Sequence, residues 1–288
     1  MPTKIEKDAI TGQETTGHEW DGIKELNTPL PRWWLYTFYA CILFSLVYVV
    51  LYPAIPSLSG HTPGVLGYNS RVDVETQLAA ARARQAEHWD AIAASELTEI
   101  RGDADRLNFA LTGGAAAFAD NCAPCHGQGG AGRPGFPVLA DDAWIWGGTL
   151  DDIQTTLLHG IRNDSDEARV SEMPAFGEIL EPEQIEAVTD YVLSLSGAEH
   201  DAASAAAGQE PYIENCAACH GEQGEGLREL GGPRLSDAIW LYGGSREEVV
   251  SQIRQPRHGV MPGWQERLDD ATIKMLSIYV HSLGGGEE

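Results

Sequence analysis

Two five-residue strings limit what this chain can fold around: Cys122-Ala123-Pro124-Cys125-His126 and Cys216-Ala217-Ala218-Cys219-His220. Cys-x-x-Cys-His is the attachment pattern of a c-type haem, in which two thiols bond the porphyrin and the histidine takes one axial site on the iron. Disulfides or a zinc site would also use paired cysteines, but neither calls for a histidine directly after each pair. The pairs also start 94 positions apart, whereas two zinc-binding Cys-x-x-Cys pairs are usually separated by about 15–20 residues. The expected cofactors are therefore two covalently bound haem c groups. Cys41, alone in an apolar run, reads as a small hydrophobic residue.

The strings belong to a module that occurs twice. Leu139, Asp141, Trp144 and Gly147-Gly148 return as Leu235, Asp237, Trp240 and Gly243-Gly244. Pro182 to Gly197 patterns as a helix with Ile185, Val188, Val192 and Leu195 on one face, and Ile273, Leu276, Val280 and Leu283 repeat that face. An offset of 88 superposes these terminal helices and carries Met173-Pro174 onto Met261-Pro262. Methionine is thus the expected second axial ligand of each iron, one in each repeat. The same offset sets Met275 against Ala187 and makes it a packing residue. His159 and His258 are the rival ligands, but they do not superpose. Pro137 and Pro233, 11 and 13 residues past the ligand histidines, are either turn prolines or carbonyl acceptors that orient those rings. Trp144 and Trp240 are either core or indole donors to a haem propionate.

Trp33 to Tyr52 runs for 20 residues without a charge, bounded by Trp33, Trp34 and Tyr36 on one side and Tyr48 and Tyr52 on the other. That is a membrane helix with aromatic belts, ended by Pro53 and Pro56. A cleaved signal peptide would have a short basic leader and an apolar stretch of about 7–15 residues. Here the leader is 32 residues with more acids than bases, so an uncleaved anchor over residues 32–56 is expected. Lys24 and Arg32 precede the helix and the next base is Arg71, which places residues 1–31 in the cytoplasm. The attachment motifs then lie in the periplasm, on the outer face of a bacterial inner membrane. Residues 57–108 read as linker with a helical segment, in which His88 beside Trp89 is a packing or surface residue. The net charge of −24 resides almost wholly beyond residue 60. It excludes nucleic acid as a partner and suits either plain solvation or the steering of a basic partner.

A helix carrying the attachment motif, a long irregular wrap and a terminal helix resemble class I cytochrome c. The fold expectation is mainly α: one transmembrane helix, then two such domains in tandem at 109–198 and 205–285. His18-Glu19-Trp20-Asp21-Gly22-Ile23-Lys24-Glu25-Leu26-Asn27, then Pro29-Leu30-Pro31-Arg32-Trp33-Trp34, resembles the N-terminal signature of the dihaem subunit (CcoP/FixP) of cbb3-type cytochrome c oxidases. The resemblance covers essentially the whole chain. It implies electron relay from a soluble or membrane cytochrome c to the haem–copper core of a terminal oxidase, in company with the catalytic and monohaem subunits. No catalytic oxygen site is expected in this chain, because histidine and methionine would fill both axial positions of each iron: His126, Met173, His220 and Met261. A dihaem subunit of a periplasmic dehydrogenase would share the haem motifs but not the leader. A dihaem peroxidase or a gas sensor would need a vacant or displaceable iron site. Without the resemblance, residues 17–31 would read as mostly disordered tail.

Overall fold

The computed structural model describes residues 4–288 and divides into two compact units, one ending at Ala83 and one spanning Arg84–Glu288. In the first unit, β1 (Thr15–Trp20) and β2 (Ile23–Leu26) pair antiparallel. Asp21 and Gly22 both carry positive φ, 47° and 86°. That is the type I′ turn an Asp-Gly pair favours, so this leader is an ordered hairpin. Helix α1 (Arg32–Leu51) follows and is long and apolar enough to cross a membrane. The chain then folds back on its last turn. Val65 and Leu66 donate their N–H groups to the carbonyls of Val50 and Leu51, and Tyr52 stacks on Tyr48, so two otherwise unpaired helix-end carbonyls gain partners. Between α1 and α2 (Ser70–Ala94) lies one short ladder, β3 (Pro56–Ser57) with β4 (Gly60–His61).

The second unit begins inside α2, earlier than the expected boundary. Trp89 and Ile92 of α2 and Leu97 and Ile100 of α3 (Leu97–Gly102) pack with Ala110, Leu150, Met275 and Ile278. His88 stacks on Phe109. Ile92, Leu97 and Ile100 therefore belong to a core, while residues 84–88 and 101–105 stay exposed; the apolar side chains meet a complementary face that the sequence alone does not display.

The two repeats follow one another in sequence, but their helices pair crosswise. Helix α4 (Ala104–Asn121), which leads into the first attachment turn α5 (Ala123–His126), packs on α11 (Asp270–His281), the terminal helix of the second repeat. Helix α8 (Ala202–Asn215), which leads into α9 (Ala217–His220), packs on α7 (Pro182–Leu195), the terminal helix of the first. The loop helices agree: α6 (Leu150–His159) contacts α11, and α10 (Arg246–Arg254) contacts α7. Residues 161–258 thus form one module, the second. The first is assembled from 84–160 and 259–288. This corrects the expectation of a terminal helix returning over its own repeat. Only six residues join α7 to α8, and so short a link makes consecutive helices antiparallel neighbours. The connections α6–α7 and α10–α11 are 22 and 15 residues long and make the crossings. Where they cross, Ile161 and Met261 exchange both backbone hydrogen bonds at 2.9 Å.

Glycine permits both helix crossings. A Cβ on Gly114 of α4 would run into the carbonyl oxygen of Met275, and one on Gly208 of α8 into that of Ala187. These contacts are equivalent under the repeat. Phe118 against Tyr279 and Tyr212 against Tyr191 complete each crossing, with ring centroids 5.4 and 5.0 Å apart.

Candidate haem sites

Each attachment string forms the same turn. Cys122 N–H donates to Phe118 O at the end of α4, and His126 N–H to Cys122 O at 2.9 Å. Cys216 and His220 make the corresponding bonds, to Tyr212 O and Cys216 O, at 2.8 and 3.0 Å. Gly127 and Gly221, with φ 76° and 80°, turn the chain out of the helix. The first cysteine of each pair is buried and the second exposed. Burial pushes the Cys122 and Cys216 thiols up to about 11, the neighbouring cysteine adding to the effect.

Each histidine is held by one carbonyl. His126 Nδ1 lies 3.1 Å from Pro137 O, and His220 Nδ1 lies 3.0 Å from Pro233 O. A carbonyl only accepts, so Nδ1 carries the proton and Nε2 keeps its lone pair. Burial lowers both histidine pKa values, against the opposing effect of the proline carbonyl, and Arg133 lowers that of His126 further.

The crosswise pairing brings each methionine into the module that holds the other repeat's attachment turn. Met173 and His220 line one cavity of about 210 Å³, together with Cys216, Cys219, Pro233 and Trp240. Its apolar wall is Phe176, Val188, Val249 and Ile253. Met261 packs with Cys122, Ile153, Leu157, Ile273 and Trp264 in the other module. The four sequence-derived residues thus sort as His220 with Met173 and His126 with Met261, each methionine coming from the other repeat. Met261 is fixed by its backbone bonds to Ile161 and by Asn163 Nδ2, which donates to Met261 O at 2.9 Å. Met275 is buried in the packing cluster beside α3 and belongs to neither site.

The rival histidines separate. His159 Nδ1 stands 3.0 Å from Glu167 Oε2, whereas His258 is exposed and lines the cavity that holds Met173. Trp144 donates its indole N–H to Gly285 O at 2.5 Å, so of its two readings this structure displays the packing one, with the donor satisfied within the chain. Trp240 lines the cavities on both sides of its loop. Gly114 and Gly208 were missed in the sequence, although a signal was present. Each stands four residues before an aromatic residue and eight before the first cysteine of its pair.

Three family models match successive parts of the chain. The N-terminal domain of cytochrome oxidase-cbb3, FixP, matches residues 12–59, Cytochrome c matches 111–196, and Cytochrome C oxidase, cbb3-type, subunit III matches 203–280. The chain is 52% identical to the cbb3-type cytochrome c oxidase subunit CcoP of Azospirillum sp. (strain B510), over 98% of both chains. It is 51% identical to the FixPc subunit of Rhizobium leguminosarum bv. viciae, over 97% of this chain and 98% of that one. Against CcoP of Cereibacter sphaeroides it is 49% identical over the full length of both. The chain belongs to the CcoP/FixP family of cbb3-type cytochrome c oxidase subunits. As a CcoP/FixP chain it carries two cytochrome c domains in tandem in its sequence, and the structure interlocks them. The β1–β2 hairpin and α1 fall within the segment matched by the FixP N-terminal model.

Proposed function

We propose that this chain is the membrane-anchored dihaem electron relay of a cbb3-type terminal oxidase. In this reading Cys122 with Cys125 and Cys216 with Cys219 hold two haem c groups covalently. His126 and Met261 would hold one iron, His220 and Met173 the other. Bound haem supplies a one-electron ferric–ferrous couple. The chain's own residues do the rest. Pro137 and Pro233 orient the two imidazoles through Nδ1, the apolar walls from Phe176 to Ile253 would shield the bound group in the second module, and the methionines would occupy the iron positions that dioxygen or peroxide would otherwise take. Helix α1 anchors the chain with its N-terminal hairpin in the cytoplasm and the modules in the periplasm. There they receive electrons from a cytochrome c donor and pass them to the haem–copper core, beside the monohaem subunit.

One observation carries this reading: in each module an attachment turn, a histidine held by a proline carbonyl and a methionine from the opposite repeat belong to the same packed module. The test uses full-length chains with only one attachment site. With Cys122 and Cys125 changed to serine, Met173→Ala should abolish the methionine-to-iron absorption band and Met261→Ala should leave it. With Cys216 and Cys219 changed instead, the two outcomes should exchange. A band that follows the methionine of the same repeat sinks the ligand assignment, and a chain without covalent haem sinks the whole reading.

A further inference from the structure

The loops that orient the two histidines face each other. Pro137, Asp141 and Trp144 of the first module and Pro233, Asp237 and Trp240 of the second line a single cavity of about 360 Å³. The contacts around it are reciprocal, as at a two-fold interface. Over this stretch the repeats are offset by 96, so Gly135 corresponds to Gly231 and Trp146 to Tyr242. Tyr242 of the second module lies against Gly135 of the first: a Cβ there would stand 3.6 Å from the ring. Trp146 of the first lies against Gly231 of the second, so closely that a Cβ would overlap the indole. Gly135 N–H donates to Leu241 O at 2.7 Å, tying the loops through their backbones.

One tie has no symmetric counterpart among the described residues. Beyond α11 the chain turns back over the first module. Glu287 N–H donates to Gly148 O at 2.9 Å, Gly148 N–H donates to Glu287 Oε2 at 3.0 Å, and His281 Nε2 approaches Glu287 O at 2.8 Å. Anchored there, the Glu287 carboxylate receives both terminal nitrogens of Arg228 from the second module, Nη1 at 2.6 Å. A two-pronged guanidinium–carboxylate pair fixes direction as well as distance.

We propose that Trp146 and the Glu287–Arg228 pair are positioning residues for electron exchange between the two sites. They hold the Pro137 and Pro233 loops at one separation and angle, and so set the rate at which one electron leaves one site and enters the other, with no bond made or broken. The proposal rests on the haem assignment above. Nothing in that assignment requires these residues.

The test uses the full-length, haem-loaded chain and its Trp146→Ala, Trp146→Phe and Glu287→Gln variants. Circular dichroism in the main haem band reads the mutual geometry of two chromophores through their exciton couplet, and a rapid-reduction experiment reads exchange between them. In Trp146→Ala the couplet should collapse and the exchange rate should fall by about tenfold, as small misplacements of reacting partners do. Glu287→Gln should give a smaller change in the same direction. Haem content and the methionine band should stay at the parent level in both. If Trp146→Ala fails to assemble, Trp146→Phe and the surface change Glu287→Gln decide the matter. Unchanged couplet and exchange rate in the assembled variants overturn the proposal. A parent chain lacking two attached haems would instead overturn the assignment beneath it.

Discussion

The two haem modules share a sequence pattern and a helix arrangement, yet one is continuous and the other is interrupted by it. The second runs from 161 to 258. The first needs 84–160 and then 259–288, with the whole of the second in between. The same set of packing contacts is therefore compatible with two chain connections, and connection length chose between them. The modules also differ in their polar ties. The second joins α7 to α10 through Asp190, buried, and Arg246, which grips both oxygens of its carboxylate at 2.9 and 3.1 Å. The first relies on the returning segment 284–288.

The strongest challenge to this difference is to cut the chain. A protein ending at residue 200 contains a complete first repeat but lacks Met261 and α11. It should attach haem at Cys122 and Cys125 without a methionine band and without a cooperative unfolding transition. A protein of residues 161–258, exported with its own signal, should show the band and unfold cooperatively. The opposite pair of results would mean that the repeats are the folding units. Next in size is Gly208→Ala. The added methyl meets the Ala187 carbonyl, and overpacking of this kind costs roughly 1–3 kcal/mol or more. Thermal unfolding followed at each haem should show the loss in the second module, with Gly114→Ala giving the mirror result.

Arg246→Ala comes third. It leaves the Asp190 carboxylate buried without its partner, and because Arg246 itself is partly exposed the cost should sit near about 2–3 kcal/mol, below that of fully buried pairs. The hydrogen bond from Arg246, more than any other influence, holds the Asp190 pKa below its ordinary value. Its stabilisation is therefore complete above about pH 5, where the unfolded carboxylate is ionised, and is lost as pH falls through the lower folded value. Denaturant titrations of parent and variant should converge in that acid range, and a constant gap would refute the assignment. The smallest effect tells Tyr212 from its counterpart Phe118. Tyr212 O–H donates to Gly221 O at 2.8 Å beside the second attachment turn. Tyr212→Phe should cost about 1 kcal/mol, in the second module alone.

The residues proposed for both sites stand out in the sequence: Cys-x-x-Cys-His has a fixed spacing, and the Met-Pro pairs recur under the offset of 88. The helices α7 and α11 were equally plain, from Ile185, Val188 and Val192 and from Ile273, Leu276 and Val280. Which helix covers which turn was not, since these two faces are near-equivalent and either would fill either groove. The only local clue was the six-residue link between α7 and α8. The type I′ hairpin was signalled by Asp21-Gly22, the pair that such a turn favours. Trp146 and Glu287 were out of reach, since their partners Gly231 and Arg228 lie 85 and 59 positions away and their meaning arises only where the modules meet.

The exchange between Ile161 and Met261 has a consequence for how such a chain is made. A polypeptide emerges from the ribosome from its N-terminus, and domains ordinarily close in that order. Here the segment from 161 to 258 is finished while the first attachment turn still waits for residues 259–288. The site that is written first is therefore completed last, after its neighbour has become a scaffold against which the final segment can register.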